Sequence, residues 1–216
     1  MIHIEKLVFN SFQVNTYLLH DETGNCIIID PANYADQENN ALVTYISQYQ
    51  LYPVLILNTH CHIDHVLGLN FTKSTYDIPF HAHEKETQLL KNGPVMGDLF
   101  GFQVSPLPEP DNFVSHNEII SFGNSKVRAI HVPGHSEGSL AFYSEPDNFV
   151  ITGDALFAGS IGRTDLPGGN YDTLIESIRS QLFPLPAETS IWPGHGESST
   201  IGNETVNNPF FNDYKT

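Results

Sequence analysis

Positive charge is scarce in this chain. Nine lysines and arginines stand against 25 aspartates and glutamates in 216 residues, a formal charge of −16. Long-range repulsion at that charge opposes a phosphate backbone, so no nucleic-acid partner is expected. Cysteine is scarcer still: Cys26 and Cys61 set no disulfide framework, which fits a reducing compartment. No apolar run approaches the roughly 18–20 residues a membrane span needs. The segment Met1-Ile2-His3-Ile4-Glu5-Lys6 lacks the basic start and long apolar stretch of a signal peptide. No membrane partner and a cytoplasmic location are therefore expected. What the chain does have is apolar, with 40% hydrophobic and only 16% charged residues. That composition supports a core without disulfide staples, and the length predicts a single domain over 1–216.

The pattern along the chain alternates strands with helices. Strands are expected at Ile2–Phe9, Thr16–His20, Cys26–Ile29 and Val54–Leu57, with a helix over Ala35–Tyr49. In the second half, strands are expected at Glu118–Phe122, Lys126–Val132, Ser139–Tyr143, Phe149–Thr152 and Ser190–Trp192. A helix is expected over Tyr171–Leu182, with Leu174, Ile175, Ile178 and Leu182 on one face. The stretch from Asn92 to His116 is rich in Gly, Pro and Asn and reads as a long surface loop. The tail Asn208-Pro209-Phe210-Phe211 reads as packed. Sheets with helices on their outer faces fit this alternation, an α/β class.

Chemistry concentrates at strand ends. Residues 59–65 read Thr-His-Cys-His-Ile-Asp-His, directly after the apolar run Val54–Leu57. His60 and His62 share a side by the period of an extended chain, with Asp64 and His65 one short turn further on. Three other segments end in a strand followed by a potential ligand: His135 after Val132-Pro133-Gly134, Asp154 after Ile151-Thr152-Gly153, and His195 after Trp192-Pro193-Gly194. Imidazole and carboxylate together suit Zn, Fe or Mn rather than Ca or Mg. Seven such ligands exceed one tetrahedral ion and suit two ions sharing one carboxylate, with a bridging hydroxide completing both. Cys61 would point away from its histidine neighbours, as a buried small residue. His81 and His83 alternate like ligands but lack partners, and Phe157 is expected to pack in the core.

The ordered set H-x-H-x-D-H, His, Asp, His resembles the metallo-β-lactamase superfamily, and within it the glyoxalase II (hydroxyacylglutathione hydrolase) branch in its short bacterial form. The words that carry the resemblance are THCHIDH (59–65), PGHSEGS (133–139), GDALFAGSIGRTDLPGG (153–169) and PGHGESSTIGNE (193–204). The resemblance implies an αββα sandwich of two mixed sheets. It implies that His60, His62 and His135 hold one divalent ion, that Asp64, His65 and His195 hold a second, and that Asp154 bridges them. Zinc is the expected metal, with iron or manganese as alternatives, and Asp64 and Asp154 are the carboxylates implied in catalysis.

The departures narrow the activity. Asp154 stands where many class B β-lactamases carry Cys, which argues against antibiotic hydrolysis. His62 stands where flavodiiron proteins carry Glu, which argues against oxygen reduction. The ribonuclease members of the superfamily share the ligands, but the charge argues against RNA. No C-terminal helical domain of the glutathione-binding kind is expected. Arg163 occupies the place of a Lys that holds the glutathione carboxylate, and Asp165 that of a Tyr. Arg163 is thus either a substrate contact or the partner of Asp165. The implied function is hydrolysis of a small acyl thioester such as S-lactoylglutathione. The alternatives are a persulfide dioxygenase holding one Fe(II) through His60, His135 and Asp154, and a non-catalytic binding module. The oligomeric state stays open.

Overall fold

A computed structural model of the chain describes residues 1–214. They form two compact units, Met1–Val114 with Ser121–Lys126, and Ser115–Ile120 with Val127 onward.

The first unit begins with three strands, β1 (His3–Phe9), β2 (Val14–His20) and β3 (Asn25–Ile29). Helix α1 (Asp36–Gln48) leads to β4 (Tyr52–Leu57), and a 3₁₀ turn at Ile63–His65 precedes α2 (Leu69–Tyr76). Strand β5 (Phe80–Ala82), α3 (Thr87–Leu99) and β6 (Asn112–Phe113) complete it. The sheet order follows the chain, β1 through β6, with the first two pairings antiparallel and the last three parallel. Parallel neighbours end side by side, so residues that follow β3 and β4 lie together. Helix α1 turns Leu42 and Ile46 onto Leu18 and Ile28, and α2 and α3 turn Leu69 and Leu90 onto Ile56 and Phe80. Its start is closed by Glu38, whose carboxylate accepts the backbone N–H groups of Tyr34 and Asn10 at 2.7 and 2.6 Å.

The second unit carries the first half of β7 (Ile119–Phe122) and most of β8 (Ser125–His131), then β9 (Leu140–Ser144) and β10 (Phe149–Gly153). A small hairpin follows, β11 (Leu156–Phe157) and β12 (Ser160–Ile161). Helix α4 (Tyr171–Ser177), β13 (Ser190–Pro193), β14 (Ser199–Thr200) and α5 (Ile201–Asn207) end the unit. Its sheet order is β14-β13-β10-β9-β8-β7, and β10 pairs with β13 in parallel. Leu174, Ile178, Ile191 and Ile201 share its core.

The expected strands and the helix over Ala35–Tyr49 are present, and the helix over Tyr171–Leu182 widens into a π-helical turn at Ile178–Leu182. The long loop over Asn92–His116 is corrected: its first eight residues are the end of α3, with Pro94 inside the helix. Gly93 and Gly97 serve packing there rather than turning. A Cβ at Gly93 would lie 2.5 Å from Leu107, and one at Gly97 2.7 Å from Val104. No helix among the described residues is long and apolar enough to cross a membrane.

Candidate metal centre

In the first unit, β3 and β4 deliver the key residues side by side. Asp30 follows β3 with φ 51°, a left-handed conformation that Asp tolerates better than most residues. Its backbone N–H bonds to the Leu57 carbonyl, which aligns it with the end of β4. Asp30 Oδ1 accepts the Thr59 N–H at 2.7 Å, and Oδ2 accepts the Thr59 hydroxyl at 2.6 Å. The same Oδ2 lies 3.0 Å from Nδ1 of His65. The ligand atoms of Asp30, His60 and His65 lie within 4.8 Å of one another, and all three residues are buried. The loop is stapled twice more. The Asn58 amide donates to the carbonyls of His60 and His65, both at 3.1 Å, and Glu86 accepts the Cys61 N–H at 2.6 Å. His60 and His62 present perpendicular rings 4.8 Å apart. Cys61 points the other way into the core with Ile56 and Ile63, as expected, and burial pushes its thiol well above the usual range. Asp64 Oδ2 stands 3.7 Å from Nε2 of His65, and the Asn10 amide holds the Asp64 carbonyl at 3.0 Å.

In the second unit, Asp154 and His195 follow the parallel pair β10 and β13, whose register sets Gly153 beside Pro193. His135 follows β8. Gly134 has φ 130°, and a Cβ there would lie 2.3 Å from the backbone of Leu174, so only glycine lets the ligand loop meet α4. Asp154 Oδ2 lies 3.7 Å from Nε2 of His135 and 3.4 Å from Nε2 of His195. His135 Nδ1 stands 2.8 Å from the backbone carbonyl of Arg163. A Cβ on the preceding Gly162 would lie 1.8 Å from the Asp154 carbonyl and 3.0 Å from His135 Nδ1, so this glycine makes the approach possible.

This donor set fits divalent metal. A hydrogen bond at Nδ1 fixes the tautomer of a ligating histidine and turns Nε2 outward. His65 has such a partner in Asp30, and His135 in the Arg163 carbonyl. The Nε2-to-carboxylate separations of 3.4–3.7 Å exceed hydrogen-bond length. Two ligands about 2.1 Å from one tetrahedral ion stand about 3.4 Å apart. The first unit thus assembles His60, His62, Asp64 and His65, and the second His135, Asp154 and His195.

The family model of the metallo-β-lactamase superfamily matches residues 10–195. The chain belongs to that superfamily. Its two mixed sheets with helices are the metallo-β-lactamase fold, as expected from the sequence. It is 34% identical to a solved B3 metallo-β-lactamase, BLEG-1, with a TM-score of 0.89 over 97% of this chain and 100% of that one. It is 32% identical to TTHA1623, solved in a di-iron-bound form, with a TM-score of 0.86 over 95% of this chain and 99% of that one. Among curated proteins, it is 36% identical to hydroxyacylglutathione hydrolase GloC of Haemophilus influenzae, covering 98% of this chain and 99% of the relative. It is also 36% identical to the probable metallo-hydrolase YqgX of Bacillus subtilis, over 94% of each chain. The protein is a metal-dependent hydrolase of the metallo-β-lactamase superfamily.

Other expectations resolve within this superfamily member. The guanidinium of Arg163 grips Asp165 through two 2.8 Å hydrogen bonds, which hold the Asp165 carboxyl down at about 2. The pair is exposed, and Arg163 reaches His135 through its main chain. His81 lies 3.1 Å from Asn112, and His83 accepts the Lys85 N–H as a cap. Phe157 is half-buried and stands edge-on to His195, with ring centroids 6.2 Å apart. Sequence reasoning missed Asp30 and Glu86. A strand ending in an acid, the pattern that singled out Asp154, also describes Cys26–Ile29 followed by Asp30.

Proposed function

We propose that this chain is a thioester hydrolase of the glyoxalase II type that uses two divalent ions, zinc first. In this reading His60, His62 and His135 hold one ion, Asp64, His65 and His195 the other, and Asp154 is shared. The observation that carries it is Asp154, whose single oxygen Oδ2 stands 3.7 Å from one histidine and 3.4 Å from another, as a shared ligand requires. The likeness to GloC over nearly the whole chain supports the substrate class.

The reaction adds water across the thioester: a C–O bond forms, the C–S bond breaks, and acid and thiol leave. Bound divalent ions supply a nucleophile from water at neutral pH and stabilise the oxyanion as Lewis acids. The protein's own part is positional. Asp30 and the Arg163 carbonyl each accept the Nδ1 proton of their histidine, which keeps Nε2 unprotonated for coordination. A thiol is acidic enough, with an ordinary pKa near 8.5, to leave without a protein acid. Because Asp165 occupies the guanidinium of Arg163, the glutathione carboxylate lacks that cation, and little preference for glutathione over simpler thiols follows.

The likeness to BLEG-1 favours β-lactam hydrolysis as a second reading. The test is anaerobic thiol release from S-lactoylglutathione and simpler acyl thioesters by protein of known metal content. A chromogenic β-lactam and oxygen uptake with glutathione persulfide run in parallel. Thioester cleavage above both others is expected. β-Lactam turnover alone, or oxygen uptake by iron-loaded protein without thioester cleavage, would overturn the proposal.

A further inference from the structure

The segment 199–208, after His195, contributes no proposed ligand, yet it contains a buried carboxylate. Glu204 on α5 has no solvent exposure and accepts four hydrogen bonds. Oε1 takes the Ser199 hydroxyl at 2.5 Å and the Asn203 amide at 2.8 Å, and Oε2 takes the Gly159 N–H and the Asn208 amide, both at 2.8 Å. Asn208, also fully buried, donates at 3.0 Å to the carbonyl of Ser160. Both Gly159 and Ser160 lie at the tip of the β11–β12 hairpin.

That hairpin has two residue pairs, Leu156 with Ile161 and Phe157 with Ser160. A ladder so short does not hold its own shape in water. Leu156 and Ile161 anchor one side in the core. Side chains alternate along a strand, so Phe157 faces the other way, toward the ring of His195. A fully satisfied buried carboxylate is a directional anchor that an apolar residue of the same size does not provide.

We propose that Phe157 is a specificity wall beside the metal face of His195, and that Glu204 and Asn208 are positioning residues that hold it there. The wall favours substrates carrying an apolar or aromatic group next to the sulfur. The proposal rests on His195 as a metal ligand. Its test therefore reads thiol binding, which needs the metal but not hydrolysis.

The affinities of 2-phenylethanethiol and ethanethiol for metal-loaded protein are compared by calorimetry. The wild type should favour the aromatic thiol by about tenfold, the worth of a partly buried ring. Phe157→Ala should reduce that preference to about twofold or less at unchanged metal content, because the apolar contact is gone. Glu204→Ala and, should that variant fail to fold, Asn208→Ala should lose most of the preference without touching the thiol. Both should also speed amide exchange over residues 156–161, which Phe157→Ala should leave alone. Glu204→Gln should restore the preference, since its amide oxygen can still accept from Gly159 and its NH₂ can face the Ser199 hydroxyl. Ile201→Val, a small cavity in the same helix, should lower the melting temperature and leave the preference intact. A wild type that does not discriminate the two thiols, or a Phe157→Ala protein that still does, would overturn the wall. Thermal destabilisation of the Glu204 and Asn208 variants with an unchanged preference would overturn the positioning role. Absence of thioester turnover alongside intact thiol discrimination would count against the hydrolase reading and leave this one standing.

Discussion

Asp30 and His65 meet across the ends of two neighbouring parallel strands, Oδ2 to Nδ1 at 3.0 Å, and neither side chain touches solvent to more than 1%. The same carboxylate accepts the N–H and hydroxyl of Thr59, the residue before His60. It therefore sets the orientation of one proposed ligand directly and the backbone of another. Asp30→Ala leaves these donors buried without an acceptor, a loss of about 3 kcal/mol. Outer partners of this kind are worth about 10–100-fold in metal affinity. Asp30→Asn, which keeps the shape and tolerates the left-handed backbone, should fall between. Urea unfolding of the metal-free proteins and chelator competition on the loaded ones measure the two effects separately.

Asp154 and Asp165 are eleven residues apart and should behave oppositely. Removing Asp154 takes away the oxygen that faces both His135 and His195. Asp154→Ala should lower metal content at both positions and abolish turnover. Asp165→Ala releases the Arg163 guanidinium but leaves the Arg163 carbonyl on His135 Nδ1. Its metal content should match the wild type. Elemental analysis of both proteins decides, and two ions per chain with normal turnover in Asp154→Ala would refute the shared-ligand assignment.

Asp21 supplies a pH-dependent contribution away from the centre. Burial alone would raise its carboxyl, but hydrogen bonds from Thr23, Ser125 and Asn124 outweigh burial and hold it at about 2, against 3.8 for an ordinary Asp. A carboxyl depressed in the folded state binds its proton more readily when unfolded, so its stabilisation is complete above about pH 4. It is lost as the pH falls toward 2. Asp21→Asn should cost about 1–2 kcal/mol at pH 6 once solvent screening is allowed for. The gap from wild type should narrow between pH 4 and pH 3, which urea unfolding at each pH would show.

What the residues disclosed in advance was whatever is local along the chain. The ligands stood out because they come soon after apolar strands, as His135 follows Val132 and His195 follows Trp192. Asp30 and Glu86 did not, because their roles rest on partners 25–35 residues away. Asp30-Pro31 also carries an ordinary turn signal that conceals a buried acceptor. Gly93-Pro94 misled in the opposite direction. Local chemistry marks a break, but the contacts of Gly93 with Leu107 and of Gly97 with Val104 keep the helix against its neighbours. Phe157 was indistinguishable from a core aromatic because its place depends on Glu204, 47 positions later.

Metal should also set the stability of the whole chain. His60, His65 and His135 are almost wholly removed from solvent, and Asp154 is 9% exposed. Unfolding scatters these ligands, so an ion that binds the native arrangement and not the unfolded chain stabilises by mass action. At free metal about 1,000-fold above its dissociation constant the gain is about 4 kcal/mol. Chelation should lower the melting temperature, and restoring zinc should recover it. The recovery should follow the logarithm of free metal concentration and should shrink in Asp30→Ala, whose ligands are less well held. Calorimetric scans across a buffered zinc series check both points, and a melting temperature indifferent to verified metal removal would show that these side chains are not one coupled site.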